Sequence, residues 1–187
     1  GDAAVATMGV CTTINDLVWV AIFALMNATA IIVGKALGAG DRERAYLYAK
    51  RMMAGALAAG VALGVAVIAV RWPLVNIFSG LSYPVRDKAQ FILLLGGMTI
   101  WFRAFNTINI VGVLRSGGDT LFSLCLDVGT LWLVSVTSTG LAALVLHWPL
   151  EWVYACTFLE EAVKMAVGIP HFKKKQWMNV LTEQPQG

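Results

Sequence analysis

Six ionisable side chains interrupt otherwise apolar stretches of this 187-residue chain: Asp16, Arg103, Asp127, Glu160, Glu161 and Lys164. In lipid such a group costs about 2.5–3.5 kcal/mol at mid-depth, so it is paired, faces water or binds an ion. Asp16, Asp127, Glu160 and Glu161 bring four negative charges, whereas Arg103 and Lys164 bring two positive ones. The surplus carboxylates suit a proton or a small cation, because burial away from water favours the neutral form of an acid. Asp16, Asp127, Glu160 and Glu161 are therefore the candidates for proton or cation binding. Asn15, Asn27, Asn106 and Asn109 can hydrogen-bond between helices, and Asn15 and Asn106 join Asp16 and Arg103 as candidates for lining a substrate cavity.

Spacing sorts these groups further. Glu160 and Lys164 stand at i and i+4 with the acid first, the favourable order for a helical ion pair. Asp127 lies six residues in from Leu121, and Lys164 lies five in from Ile169. At 1.5 Å per residue those depths are roughly 9 and 8 Å. On antiparallel neighbours joined by a short loop the two can face each other, so Asp127, Glu160 and Lys164 are expected to form structural ion pairs. Glu161 points about 100° away around the helix, toward Arg103, which is roughly 16 Å deep in its own span.

The elements that must carry these residues are apolar helices. The hydrophobic share is 58% and the charged share 13%, against about 45–50% and about 25% in soluble domains. A run of about 20 apolar residues crosses a bilayer as a helix. Five runs qualify, at 5–33, 52–70, 91–114, 121–146 and 152–169. No alternating ten-residue barrel pattern is present, and a lone strand cannot satisfy its backbone in lipid. The expected fold is all-α, a polytopic integral membrane bundle of five transmembrane helices. In the second run Gly55, Gly60 and Gly64 stand among alanines, which predicts close helix packing.

The joints carry stop and start signals. Gly38-Ala39-Gly40-Asp41 closes one helix with glycines and opens the next with an Asp cap, and Ser116-Gly117-Gly118-Asp119-Thr120 repeats the device. Nine basic residues fall on one side: Lys35, Arg42, Arg44, Lys50, Arg51, Arg115, Lys173, Lys174 and Lys175. Three fall on the other, Arg71, Arg86 and Lys88. The positive-inside rule puts the first set in the cytoplasm, with the N-terminus outside and the C-terminus inside. Trp72, Trp148 and Trp152 then mark the outer interface and Trp177 the inner one.

Several function classes drop out. A net charge of +3 is too small and scattered for nucleic acid. Cys11, Cys125 and Cys156 have neither disulfide nor metal spacing, and His147 and His171 have no metal-ligand companion. No triad context is present, so the expectation is no enzyme, no metal and no cofactor. The chain opens on Gly1-Asp2 without a basic region before a short apolar stretch, which reads as a piece of a longer chain rather than a signal peptide.

Read together, Gly34-Lys35-Ala36-Leu37-Gly38-Ala39-Gly40-Asp41-Arg42-Glu43-Arg44-Ala45 and Gly112-Val113-Leu114-Arg115-Ser116-Gly117-Gly118-Asp119-Thr120 resemble segments of multidrug and toxic compound extrusion (MATE) transporters. The tail, Glu160-Glu161 with Lys164, Phe172 and Trp177, resembles the end of their last helix in bacterial members. The resemblance implies helices eight to twelve of a twelve-helix protein. Residues 1–177 would form a partial C-terminal six-helix bundle and 178–187 a cytoplasmic tail, with the N-terminal bundle and helix seven elsewhere.

The resemblance also implies function. Members exchange H⁺ or Na⁺ for cationic or amphipathic compounds across a central cavity in the bacterial-type inner membrane, with membrane lipid and the first bundle as partners. One family subgroup uses a carboxylate in the first helix, and another uses acidic residues on helices seven and ten. The run that corresponds to helix ten has Arg103 and no acid, so that ion site does not transfer. Two alternatives remain, a lipid-linked oligosaccharide flippase of the wider superfamily and a non-transporting membrane packing module.

Overall fold

The computed structural model describes residues 2–77 and 83–179, and among them there is no strand. Five rods follow in order. The first two are α1 (Asp2–Gly38) and α2 (Arg42–Ile77). The third is α3 (Tyr83–Thr107), which runs on into a π-helical stretch, Ile108–Arg115. The fourth is α4 (Thr120–Thr130), continued by π-helical Leu131–Val136, the short α5 (Thr137–Gly140) and π-helical Leu141–Val145. The fifth is α6 (Leu150–Lys173). Each rod matches one of the five apolar runs, the fourth ending one residue short of it at Val145.

Among the described residues, four rods are long and apolar enough to cross a membrane: Asn15–Gly38, Arg42–Pro73, Val85–Arg115 and Thr120–Val145. The fifth carries Glu160, Glu161 and Lys164 within its length, which lowers its apolar content. Leu17, Leu133 and Leu144 are 70%, 79% and 78% exposed, an outward apolar surface suited to lipid or to another apolar helix rather than to water. The helices also outrun the apolar runs, since α2 continues through Pro73 and α6 through Pro170.

Two turns of the same geometry join the rods at one end. Gly40 has φ +76°, its N–H donates to Leu37 O at 2.9 Å, and the Asp41 N–H donates to Ala36 O at 3.0 Å. Gly118 has φ +91°, with the N–H of Gly118 on Arg115 O and that of Asp119 on Leu114 O, both at 3.0 Å. Each is a Schellman turn, and its left-handed residue favours glycine. The aspartates after the two glycines behave differently. Asp41 caps α2 by accepting from the Arg44 N–H at 2.9 Å, whereas the Asp119 side chain makes no cap bond to α4 and binds His171 of α6 instead. The expected second Asp cap is thus replaced by a long-range contact.

The most extensive interface joins α2 to α3, and glycine makes it close. A Cβ on Gly60 would stand 2.6 Å from Trp101 Cα, and one on Gly64 2.3 Å from Gly97 O. Gly55 has open space around it, so only two of the three glycines act in packing. One apolar core lies at the end that holds both Schellman turns and gathers Val33, Leu37, Ala49, Ile108, Leu114, Phe172 and Trp177. A second gathers Ile22, Val67, Ile92, Leu93 and Ile100.

The chain after α6 folds back onto that first end. Trp177 is fully buried and lies so close to Gly117 that a Cβ there would meet its ring at 2.3 Å. Its indole N–H donates to Phe172 O at 3.1 Å, and the Asn179 N–H donates to Gly117 O at 2.8 Å. Trp177 is therefore a core residue and not part of an interfacial belt, unlike the exposed Trp72, Trp148 and Trp152. Residues 180–187 of the expected tail lie outside the described residues.

Candidate functional site

Arg103 of α3, Asp127 of α4 and three charged residues of α6 converge on one recess of about 270 Å³. Arg103, Asn106, Asp127, Glu160, Glu161 and Lys164 all line it. Helical spacing explains part of the convergence: Glu160, Glu161 and Lys164 share one stretch of α6, Arg103 and Asn106 are one turn apart on α3, and Asp127 meets Lys164 from α4.

Lys164 is the hub. Its Nζ lies 2.6 Å from Glu160 Oε1 on its own helix and 2.9 Å from Asp127 Oδ1 across the interface. The other Asp127 oxygen, Oδ2, accepts from Arg115 Nη2 at 2.9 Å. The charge count places Arg115 in a cytoplasmic loop, yet the π-helical stretch ends in this residue, and the flexible side chain reaches back into the bundle. Three carboxylates, Asp127, Glu160 and Glu161, thus meet three cations, Arg103, Arg115 and Lys164. The lining itself keeps one more carboxylate than cation, and Arg115, which does not line the recess, offsets it by engaging Asp127.

Glu161 is held differently. Its Oε2 accepts from Asn106 Nδ2 at 2.9 Å, and the same amide group also donates to the Glu161 backbone carbonyl at 2.8 Å. The nearest cation, Arg103 Nε, is 3.5 Å from Oε1, outside ordinary N–H···O bonding. Arg103 also rests over the Trp19 ring of α1, 5.2 Å from its centroid. Trp19 is a recess residue that sequence reasoning passed over. No local spacing marks it, because Asp16, three residues before it on α1, lies outside the recess.

Two asparagines carry unsatisfied atoms. Asn106 Oδ1, and both Oδ1 and Nδ2 of Asn109, are buried without a hydrogen-bond partner. A buried polar group left so costs about 1–3 kcal/mol. Asn109 is fully buried against Gly168 of α6, where only glycine leaves room for the amide. Asn15 lies away from this recess, beside Val67, Ile92 and Tyr154. Asp16 is exposed on α1 and takes part in no ion pair among the described residues. The structure therefore does not bring Asn15 and Asp16 together with Arg103 and Asn106 in one recess.

A model of the MatE family matches residues 1–138. The chain belongs to the MatE family. No curated protein and no solved structure matches it. As a MatE protein with rods long and apolar enough for the bilayer, it is a multi-pass membrane transporter. The MatE match ends in the fourth rod, so α6, with Glu160, Glu161 and Lys164, lies beyond it and is tied to the matched part by the contacts described above.

Proposed function

We propose that this chain forms part of a cation-coupled antiporter that exports cationic or amphipathic compounds by alternating access, with the recess at Glu161 as its ion-exchange point. The observation that carries the reading is the unequal grip on the carboxylates. Asp127 and Glu160 are held by ammonium or guanidinium groups at 2.6–2.9 Å, while Glu161 has only a neutral amide at that range. A proton, Na⁺ or an organic cation arriving at Glu161 competes with one loose partner. Arg103 has the Trp19 face to retreat to, a contact worth about 0.5–2 kcal/mol. Asp127, Glu160 and Lys164 then act as the fixed frame, and the exposed Asp16 is a second point where a cation can load.

In this reading the five rods are helices eight to twelve of a two-bundle protein, residues 1–177 belong to its second bundle, and the end with both Schellman turns faces the cytoplasm of a bacterial-type cell. The flippase alternative fits less well, because a lipid pyrophosphate calls for a cationic lining and this recess is lined by three carboxylates against two cations, Arg103 and Lys164. The test is ethidium efflux from cells expressing the protein in its native form, driven by an imposed pH or Na⁺ gradient. Glu161→Gln should abolish gradient-driven efflux at unchanged membrane abundance. Full efflux by that variant overturns the assignment of Glu161, and efflux indifferent to both gradients overturns the antiport reading.

A further inference from the structure

A larger recess lies outside the one just described, in the angle between the end of α1 and the start of α2. Its volume is about 730 Å³. Lys35, Arg44 and Arg51 stand around it with Tyr48, while Ile32 and Met52 supply apolar wall. Arg44, Tyr48 and Arg51 follow one another at i, i+4 and i+7, so they share one face of α2.

Its charge is not balanced. The one carboxylate, Asp41, is engaged by Arg44 at 3.0 Å and by the Arg44 backbone N–H at 2.9 Å. Lys35 and Arg51 are exposed and take part in no ion pair among the described residues. Three cations against one anion leave the recess at +2. The level is also informative. Lys35 follows the apolar run that ends at Val33, and Arg51 directly precedes the one that begins at Met52. Both cations therefore stand where hydrocarbon gives way to headgroups.

We propose that this recess binds the phosphate of an anionic glycerophospholipid, with the acyl chains along Ile32 and Met52. Charge-assisted bonds from Lys35 and Arg51 suit phosphate oxygens, and basic recesses between transmembrane helices at this level take anionic headgroups. The apolar wall adds burial that a free phosphate ion cannot use. A zwitterionic lipid would bring its own ammonium group into a positive field.

The test uses the full chain in mild detergent with phosphatidylglycerol, phosphatidylcholine or inorganic phosphate, and counts retained lipid by native mass spectrometry. One phosphatidylglycerol should stay bound, phosphatidylcholine should not, and millimolar inorganic phosphate should not displace it. Lys35→Gln/Arg51→Gln should lower retention roughly tenfold or more. Lys173→Gln/Lys174→Gln, which removes the same charge elsewhere, should leave it unchanged. If the double variant fails to fold, Lys35→Gln and Arg51→Gln singly carry the same comparison, each with a smaller loss. Undiminished retention in these variants, equal retention of phosphatidylcholine, or displacement by inorganic phosphate overturns the proposal.

Discussion

Lys164 Nζ on α6 stands 2.9 Å from Asp127 Oδ1 on α4, and the Lys164 side chain is only 12% exposed. Removing the ammonium leaves Asp127 and Glu160 close together with less compensation. Breaking such a pair from one side costs about 3–5 kcal/mol, while neutralising Lys164 together with both of its carboxylate partners costs far less, since the part-exposed Arg115 can turn to water. Lys164→Met should therefore lower the thermal midpoint in detergent sharply, and Asp127→Asn/Glu160→Gln/Lys164→Met should recover most of the loss. An unchanged midpoint in Lys164→Met would show that the network has no structural role.

Gly64 and Gly55 make a controlled pair on α2. A methyl on Gly64 meets the Gly97 carbonyl, whereas one on Gly55 meets nothing within 4 Å. Gly64→Ala should cost about 1–3 kcal/mol by forcing α2 and α3 apart. Gly55→Ala should be neutral or stabilising by up to about 1 kcal/mol through helix propensity. Unfolding in a denaturing detergent titration separates the two outcomes, and equal behaviour would refute the close-approach account.

Trp177 is clamped between the Gly117 turn and Phe172, with ring centroids of the two aromatics 5.6 Å apart. Truncating a buried Trp to Ala typically costs about 3–5 kcal/mol. Trp177→Ala should release the segment after α6, which limited trypsin digestion reads as faster cleavage at Lys173, Lys174 and Lys175. Gly117→Ala should give the same pattern from the other side of the contact.

The two Schellman turns and the segment after α6 share one end of the bundle, as the 3.3 Å contact of Lys175 with Glu43 shows. A cysteine at Lys174 should resist an impermeant thiol reagent in intact cells, and one at Trp148 should react. Labelling at Lys174 would reverse the orientation. Ser79, a natural position for a second outer probe, lies outside the described residues.

Composition and period settled the element class here. A chain with so few charges can reach solvation only in lipid, and backbone hydrogen bonding in lipid leaves helices as the solution for these runs. The glycine turns were equally legible, because a positive φ at Gly40 and Gly118 is a local requirement. Depth counting also relates Asp127 to Lys164, since both are measured along straight rods from the same end. Tertiary structure decided the rest. Whether Asp119 caps its own helix or binds His171 depends on α6 arriving beside it. Arg115 belongs to a loop by position and reaches Asp127 of the bundle by the length of its side chain. Trp177 has the residue type of an interfacial anchor, yet a turn without a Cβ opens the slot that buries it. In each case a long or polar side chain chooses between a local partner and a distant one, and linear spacing carries no information about which distant group will be within reach.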